Sequence, residues 1–152
     1  MRIIGATVLA WCLAFGAGGG SRLWAQTVMP PEVAIRQVIE GQLDALAQDD
    51  APKALSFAIP EIRNAFDTPL QFLALVESGY PMVYRHTSIR FFAPRVGYRM
   101  SLQIVRMTDV EGGVWFVAYR LLRQRDGGWL IGGVTAYPGE PVPDLLPPSP
   151  VS

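Results

Sequence analysis

The chain has little of the chemistry that metal sites and most catalytic centres use. Its 152 residues include one cysteine, Cys12, and one histidine, His86. Protein zinc sites need several cysteine, histidine or acidic ligands, and the acids here are scattered, so the sequence predicts no metal site. The glycines at 18–20 fall in an N-terminal leader, and the other glycine pairs occupy turns or strands. The sequence therefore offers no phosphate-binding loop, and we expect no cofactor.

An excess of charge is also missing. Lysine and arginine number 13, and aspartate and glutamate number 13, so the balance gives no support to nucleic-acid binding. The charges are nevertheless placed unevenly, because acids dominate residues 26–81 whereas arginines dominate residues 82–137. Two explanations are open: an acidic layer of helices lies on a basic sheet, or one face of the sheet binds an anion or a partner.

Residues 1–25 have the features of a secretory signal. Arg2 supplies a charge at the start, an apolar run covers residues 3–17, and Ala25 offers a small residue for cleavage. The run is shorter than the roughly 20 residues that a helix needs to cross a bilayer. We therefore expect a periplasmic or secreted protein with no membrane segment after cleavage, and Cys12 leaves with the signal. An uncleaved anchor is the alternative.

Residues 26–137 fit a single domain that begins with helices. Pro31 and Glu32 suit a helix start, and apolar residues then recur with helical spacing. The members of this stripe are Ile35, Val38, Ile39, Gln42, Leu43 and Leu46. A buried glutamine that lacks hydrogen-bond partners costs about 1–3 kcal/mol. Gln42 therefore either bonds a neighbouring carbonyl or lines a wet cavity.

Acids and prolines mark the starts of further short helices. These starts are at Asp49 or Asp50, at Pro60 and at Asp67. The sequence predicts that Gly79 ends the last helix as a left-handed cap and that an extended connection follows. Because each of these helices is short, we expect them to form a wall against a sheet rather than a bundle.

The second half of the chain has the alternation of a sheet. A first strand is expected at residues 89–92, and a strict period of two then runs from Val96 to Ile104. This period predicts one buried face and one polar face. The buried face would hold Val96, Tyr98, Met100, Leu102 and Ile104, and the polar face Gly97, Arg99, Ser101 and Gln103. After Ile104 the alternation slips, which indicates a bulge or a strand that is covered on both sides.

The clearest turn lies in the hairpin at residues 114–137. Asp126, Gly127 and Gly128 supply the positive φ angles of a tight turn between two apolar runs. Both faces of the first run are apolar, and one layer of helices covers only one side of a sheet. The other side could be covered by a homodimer through the sheet, or by curvature together with the C-terminal residues; both remain open. Residues 138–152 are rich in proline, and we expect a disordered tail.

Helices followed by an antiparallel sheet match the order of one known fold. Its matching residues here are Gln42, Leu43, Asp44 and Ala45, Asp49 and Asp50, Phe57, Ala58 and Ile62, Phe72, Leu73, Val76 and Tyr80, Gln103 and Val105, Asp109, Gly112, Trp115, Ala118 and Tyr119, and residues 126–133. On these residues, nearly all of 33–137 resembles an uncharacterised bacterial family, domain of unknown function 4864. The family is similar to the nuclear-transport-factor-two-like (cystatin-like cone) superfamily.

The resemblance implies an α+β cone fold and no particular activity. We expect N-terminal helices packed on the concave face of a curved antiparallel sheet of about four strands. Cone folds serve isomerases, dehydratases, transport factors and plain binding modules, so the fold alone does not decide the function.

The side chains that suit the lining of such a cone are aromatic or carry an amide. They are Gln42, Tyr80, Tyr84, Tyr98, Trp115, Tyr119 and Trp129, with Arg99 or Arg120 if either turns inward. This set fits a small apolar or anionic ligand. No catalytic residue is predicted, because no strand interior contains a carboxylate and His86 has no acid next to it in sequence.

The first hypothesis is therefore an exported, non-enzymatic domain that binds a small ligand or a protein partner. One alternative is a cone-fold enzyme of the isomerase or dehydratase kind with a site at His86 or Gln42. The other is a purely structural or protein-interaction module whose sheet face is the working surface.

Overall fold

The computed structural model describes residues 28–139, which form five helices followed by five strands. The helices are α1 (Pro31–Ala47), α2 (Ala51–Ser56), α3 (Pro60–Arg63), α4 (Pro69–Gly79) and α5 (Pro81–Tyr84). The strands are β1 (His86–Phe91), β2 (Arg95–Val96), β3 (Met100–Asp109), β4 (Val114–Arg123) and β5 (Trp129–Pro138). The predicted signal at 1–25 and nearly all of the predicted tail at 138–152 lie outside the described residues. Within residues 28–139, no helix is long and apolar enough to cross a membrane.

The helix α1 begins where the sequence predicts. Pro31 and Glu32 lie in its first turn, where proline needs no hydrogen-bond partner and an acid complements the helix dipole. The predicted stripe is its buried face, and Ile35, Ile39 and Leu46 have no exposed surface at all. Gln42 is buried among them, with 4% of its surface exposed. The prediction of an amphipathic first helix is therefore confirmed.

The two candidate caps of the second helix have different roles. Asp50 is the cap of α2, since its carboxylate accepts a hydrogen bond from the Lys53 backbone N–H at 3.1 Å. Asp49 has a positive φ of 55°, a conformation that aspartate tolerates better than most residues. Its Oδ1 instead accepts hydrogen bonds from the Tyr84 hydroxyl at 2.7 Å and from Arg85 Nη2 at 3.0 Å. This pair of bonds ties the turn after α1 to the start of the sheet.

The prediction for the end of α4 is wrong. Gly79 is the last helical residue and does not have a positive φ; the chain leaves the helix at Tyr80, with φ −136° and ψ 57°. The helix α5 then replaces the predicted extended connection. The reason is Pro81, whose fixed φ suits the first position of a new helical turn.

The sheet is antiparallel throughout, with the strand order β1-β3-β4-β5 and the short β2 paired to β3. The slip after Ile104 is not a bulge in β3, which pairs continuously with β4. Ile104 is 3% exposed and Val105 is 0% exposed, so the strand is buried on both sides at this point, as one of the two alternatives predicts, although helices cover only the side of Val105. Register shifts occur elsewhere, between His86 and Ser88 and between Arg120 and Leu121.

The predicted faces of β3 are wrong at its first half. Ser101 and Gln103 are each 1% exposed, whereas Tyr98 is 83% and Met100 is 51% exposed. The segment that links β1 to β2 explains this reversal. Ser101 Oγ donates to the Arg95 carbonyl at 2.8 Å, and Gln103 Nε2 donates to the Phe92 carbonyl at 2.7 Å. Buried polar side chains are tolerated where such bonds replace those to water.

The predicted hairpin turn after β4 is confirmed. The Gln124 and Gly128 backbones are joined at 2.8 Å, and the Gly127 N–H donates to the Gln124 carbonyl at 3.0 Å. Of the three residues predicted to supply positive φ angles, only Gly127 has one, of 87°, the left-handed conformation that glycine adopts without steric cost.

The strands have one face covered by helices and one that is not. We call them the concave face, which includes Val105, Val117, Tyr119 and Leu121, and the convex face, which includes Ile104, Phe116 and Ala118. The main core forms where the concave face packs against α1, α2, α4 and α5. This arrangement confirms the predicted α+β class, with N-terminal helices on one face of a curved antiparallel sheet.

Candidate functional site

An apolar cavity of about 180 Å³ lies between the helices and β5. We call it the helix-side cavity. Its walls come from α1, α3, α4, α5, the residues that follow α2 and α3, and β5, and they contain no charged side chain. The residues that line it are Gln42, Leu46, Ala58, Ile62, Phe66, Phe72, Leu75, Val76, Tyr80, Val83, Ile131, Gly133 and Val134.

Short chain segments hold the wall of this cavity against the sheet. Phe57, at the end of α2, accepts a hydrogen bond from the Ile131 N–H at 2.8 Å, and the Ile59 N–H donates to the Ile131 carbonyl at 3.0 Å. These bonds occupy part of the outer edge of β5, which would otherwise expose unpaired backbone groups. Gln42 reaches the cavity because it falls three residues after Ile39 on the buried face of α1.

Two polar side chains reach the cavity, and both make long hydrogen bonds. Gln42 Nε2 donates to the Ala54 carbonyl at 3.3 Å, and the Tyr80 hydroxyl donates to the Val134 carbonyl at 3.3 Å. Typical separations are about 2.9–3.0 Å for N–H···O and about 2.7–2.8 Å for O–H···O bonds. Both bonds are therefore weak, and a better placed acceptor could compete for either donor.

The other predicted lining residues lie away from this cavity. Tyr119 is 0% exposed on the concave face, its hydroxyl has no hydrogen-bond partner, and burial raises the pKa of its phenol. Trp129 is buried in the main core, and Arg123 lies over its ring at 5.9 Å. Tyr98 lies on the surface. Tyr119 and Trp129 are therefore core residues in this structure.

Trp115 and Tyr84 each donate a hydrogen bond to a carboxylate, that of Asp109 and that of Asp49. The Trp115 indole N–H donates to Asp109 Oδ2 at 2.8 Å, and with the Gly113 N–H it keeps the pKa of Asp109 below its usual value. The Tyr84 hydroxyl, followed by Arg85, lowers the pKa of Asp49 in the same way. Both arrangements fix turns. Of the seven predicted lining residues, the structure brings only Gln42 and Tyr80 together at the cavity.

Neither arginine that was considered for the lining reaches the cavity. Arg120 lies on the convex face, where its Nη2 donates to the Gly132 carbonyl at 2.7 Å. Arg99 is exposed between β2 and β3.

His86 lies in an open groove between α1 and β1. The groove has a volume of about 560 Å³ and is flanked by the ion pair of Arg36 and Glu40, at 2.7 Å, and by Asp44. The buried Nδ1 atom of His86 has no hydrogen-bond partner, and burial lowers the pKa of the imidazole while the charge of Asp44 opposes that shift. Among residues 28–139, no three histidine, cysteine or acidic side chains are close enough to hold a metal ion.

The lining set predicted from the sequence does not include the rim of the helix-side cavity. Ile62 and Phe66 are half-buried there, and Leu75 is 49% exposed. The spacing of Phe72 and Val76, both buried, indicates an inward face of α4. Periodicity cannot say which members of such a face fill the core and which border a cavity, because that depends on the packing of α3 and β5.

Solved structures of other proteins are similar to this chain. It is similar to an NTF-2-like protein of unknown function from Silicibacter pomeroyi, with 16% identity, a TM-score of 0.49, and coverage of 70% of this chain and 94% of that one. It is also similar to a SEC-C motif-containing protein from Rhodopseudomonas palustris, with 18% identity, a TM-score of 0.47, and coverage of 70% and 78%. No curated protein matches the chain.

A family model matches residues 29–141, which include all five helices and all five strands. The predicted family is thereby confirmed. The chain belongs to the family described as Domain of unknown function (DUF4864).

Proposed function

We propose that this domain is a non-enzymatic binding module that holds a small, mainly apolar molecule in the helix-side cavity. The observation that carries the proposal is the pair of long hydrogen bonds at Gln42 and Tyr80, both 3.3 Å. These donors face an otherwise apolar enclosure, so a ligand with one acceptor could bond either of them more favourably than the present carbonyl does.

The volume sets the size of the ligand. An engineered apolar cavity of about 150 Å³ binds benzene in another protein, so the 180 Å³ here suits a single ring or a short alkyl chain. A ligand of this size gains roughly 0.3–1.5 kcal/mol per heavy atom at most. At the middle of that range, about 0.6–1.0 kcal/mol for each of the seven heavy atoms of phenol, we expect dissociation constants of roughly 10 µM to 1 mM.

The lining argues for a neutral ligand and against catalysis. No acid, histidine, lysine or arginine lines the cavity, so neither an anion nor a general acid–base mechanism finds a partner there. The enzyme hypothesis is weaker at His86 as well, since its Nδ1 bonds no carboxylate.

The proposal is tested by measuring thermal stability and affinity with phenol, indole and 1-hexanol as probes. Binding at a hundredfold excess over the dissociation constant stabilises a protein by about 2.7 kcal/mol. Leu75→Trp, at the exposed rim, should close the entrance and weaken binding with little loss of stability. Tyr80→Phe should weaken binding of phenol more than that of indole, whose N–H group cannot accept a hydrogen bond from the Tyr80 hydroxyl.

The matched control is Tyr98→Phe, which removes the same hydroxyl from an exposed tyrosine and should leave binding unchanged. The proposal fails if no probe raises the melting temperature, or if Leu75→Trp and Tyr98→Phe bind the probes equally well.

Export of the domain is a second part of the proposal. It is supported by Arg2 and by the apolar run at 3–17. Residues 1–25 fused to an alkaline phosphatase that is active only outside the cytoplasm should give activity in a bacterial host. Leu9→Arg, which interrupts the run, should abolish that activity; an inactive parent fusion would contradict export.

A further inference from the structure

The two outer edges of the sheet differ in what is paired to them. β5 lies at one end of the strand order, and there Phe57 and Ile59 bond the backbone of Ile131. β1 lies at the other end, with β3 as its strand partner. Within residues 28–139, no strand or loop is paired to the far side of β1. Such an edge presents backbone N–H and C=O groups to which a further strand can bond.

The register of β1 shows which of its backbone groups face outwards. The Phe92 N–H donates to the Ile104 carbonyl at 3.1 Å, so these two residues form a hydrogen-bonded pair. In an antiparallel pair of strands, residues that bond the neighbouring strand alternate with residues that do not. The N–H and C=O groups of Ile89 and Phe91 therefore point away from β3. We call this side of residues 88–91 the free edge.

A groove runs along the free edge, between β1 and α1. Its two parts have volumes of about 520 Å³ and 560 Å³, and they share Arg36, Glu40 and Phe91 as lining residues. Ile89, which is 37% exposed, lines the second part. Because successive residues of a strand point to opposite faces, a strand added beside β1 would place every second side chain in this groove.

The wall of the groove that α1 forms is acidic. Glu32, Glu40 and Asp44 line it, and in the described part of the chain only Glu40 has a basic partner, Arg36 at 2.7 Å. A basic side chain that enters the groove would therefore meet carboxylates of opposite charge. Basic residues at alternate positions of an added strand would place their charges along this wall.

The opposite side of the free edge is basic. Arg90 lies on the convex face, with its guanidinium carbon 5.5 Å from the centre of the Phe92 ring. It is next to an apolar cluster formed by Ile104, Phe116 and Ala118. Like charges directly opposite each other on neighbouring strands are unfavourable, so a residue of the added strand that faces Arg90 should not be basic. The two sides together select a strand in which basic and non-basic residues alternate.

We propose that β1 binds an extended segment of another protein as an additional antiparallel strand, with alternate lysine or arginine side chains in the groove beside Glu40 and Asp44. Strand addition of this kind gains affinity from main-chain hydrogen bonds and specificity from pockets for alternate side chains. Antiparallel pairing continues the sheet and is slightly more stable per residue than parallel pairing.

A second copy of this chain fits the free edge less well than a basic segment does. Its own β1 would place Ile89 and Phe91 towards the groove, and neither side chain is basic. Its α1 would approach with the same carboxylates, Glu32, Glu40 and Asp44, which electrostatics disfavours. The charge of the groove therefore favours a different chain as the partner.

The probe for this proposal is a heptapeptide of alternating threonine and lysine with blocked ends, and its matched control has glutamate in place of each lysine. Fluorescence anisotropy with the full chain should show at least tenfold tighter binding of the lysine peptide. The backbone amide resonances of Ile89 and Phe91 should shift, and that of Ile131 on the other edge should not. No binding, equal affinities for the two peptides, or shifts confined to β5 would overturn the proposal.

A charge exchange on the chain tests where the peptide binds. Asp44→Lys should weaken binding of the lysine peptide about fivefold and strengthen that of the glutamate peptide. Glu61→Lys, at an exposed position on α3, changes the net charge equally and should leave both affinities within about twofold. Circular dichroism verifies that both variants fold. Equal effects of the two variants would show attraction to the overall charge only and would contradict the proposed site.

Methylation of peptide nitrogens tests the strand pairing itself. Lysines that lie opposite Ile89 and Phe91 direct their N–H groups at β1, so N-methyl lysine should weaken binding at least tenfold. N-methyl threonine is the matched control and should weaken binding less than about threefold, because those N–H groups point away from β1. Equal losses, or a larger loss with N-methyl threonine, would refute the antiparallel pairing. A dimer of the chain that excess lysine peptide dissociates would assign the free edge to a second copy and would also overturn the proposal.

Discussion

The two faces of the sheet are built from alternate residues of the same strands, yet they are stabilised in different ways. On the concave face, Val105, Val117 and Leu121 are fully buried beneath the helices. On the convex face, Leu102 and Leu122 stay half-buried and arginines lie beside the apolar cluster. The comparison teaches that the character of a side chain does not decide which face is inside. Packed helices and available hydrogen-bond partners decide it.

The largest expected effect separates two neighbouring leucines of β4. Leu121→Ala removes a side chain that is 0% exposed and should lower the free energy of unfolding by about 3 kcal/mol. Leu122→Ala, on the convex face, should lower it by about 1 kcal/mol, because that side chain is already partly in contact with water. Urea denaturation of both variants measures the difference. Equal losses would show that the convex face is packed as tightly as the concave face.

A buried amide gives the next largest effect. Gln103→Leu keeps the side-chain volume but removes the donor to the Phe92 carbonyl, and should cost about 1–2 kcal/mol of unfolding free energy. Gln37→Leu, on the exposed side of α1, is the control and should change stability by less than about 0.5 kcal/mol. If Gln103→Leu stabilised the chain, the concave face would be held by apolar contacts alone.

The hydroxyl of Tyr119 offers a change in the opposite direction. It is buried and has no partner, so Tyr119→Phe should raise the free energy of unfolding by about 1 kcal/mol. Tyr80→Phe loses a long bond to the Val134 carbonyl and should change the free energy of unfolding by less than about 0.5 kcal/mol. Guanidinium denaturation compares the two variants. A clear loss of stability in Tyr119→Phe would reveal a partner for that hydroxyl.

The smallest effect is a pH dependence at the edge of the concave side. Burial lowers the pKa of His86, so the unfolded chain binds a proton more readily than the folded one near pH 6.5. The stability linked to His86 is present above that pH and is lost as pH falls below it. His86→Gln should therefore flatten the melting temperature between roughly pH 7 and pH 5. An unchanged profile would place the titration elsewhere.

Much of the fold follows from patterns that are local in sequence. The spacing of Ile35, Ile39 and Leu46 predicts α1, and Asp126 with Gly127 predicts the hairpin, because each signal depends on residues a few positions apart. The family resemblance predicts the packing of helices on one face of the sheet. The faces of β3 are harder to predict from the sequence. Ser101 and Gln103 can be buried because a separate segment supplies the carbonyls that accept their hydrogen bonds.

The candidate site is only partly predictable for the same reason. Gln42 is conspicuous as the polar member of an apolar stripe, and it does line the helix-side cavity. Tyr119 and Trp129 are aromatic, as cavity-lining residues often are, but they lie in the core. Periodicity gives the side of an element on which a residue lies. The space left between five short helices and β5 depends on their three-dimensional packing.

The most direct test of the account is a methyl NMR titration of the isotope-labelled chain with phenol and indole. The account predicts shifts for the methyl groups of Leu75, Val76, Ile131 and Val134 around the helix-side cavity. The chemical shifts of the methyl groups of Leu102, Ile104 and Val114 on the convex face should stay unchanged. Shifts confined to the convex face, or none at saturating probe, would contradict the claim that the space beneath the helices is the binding site.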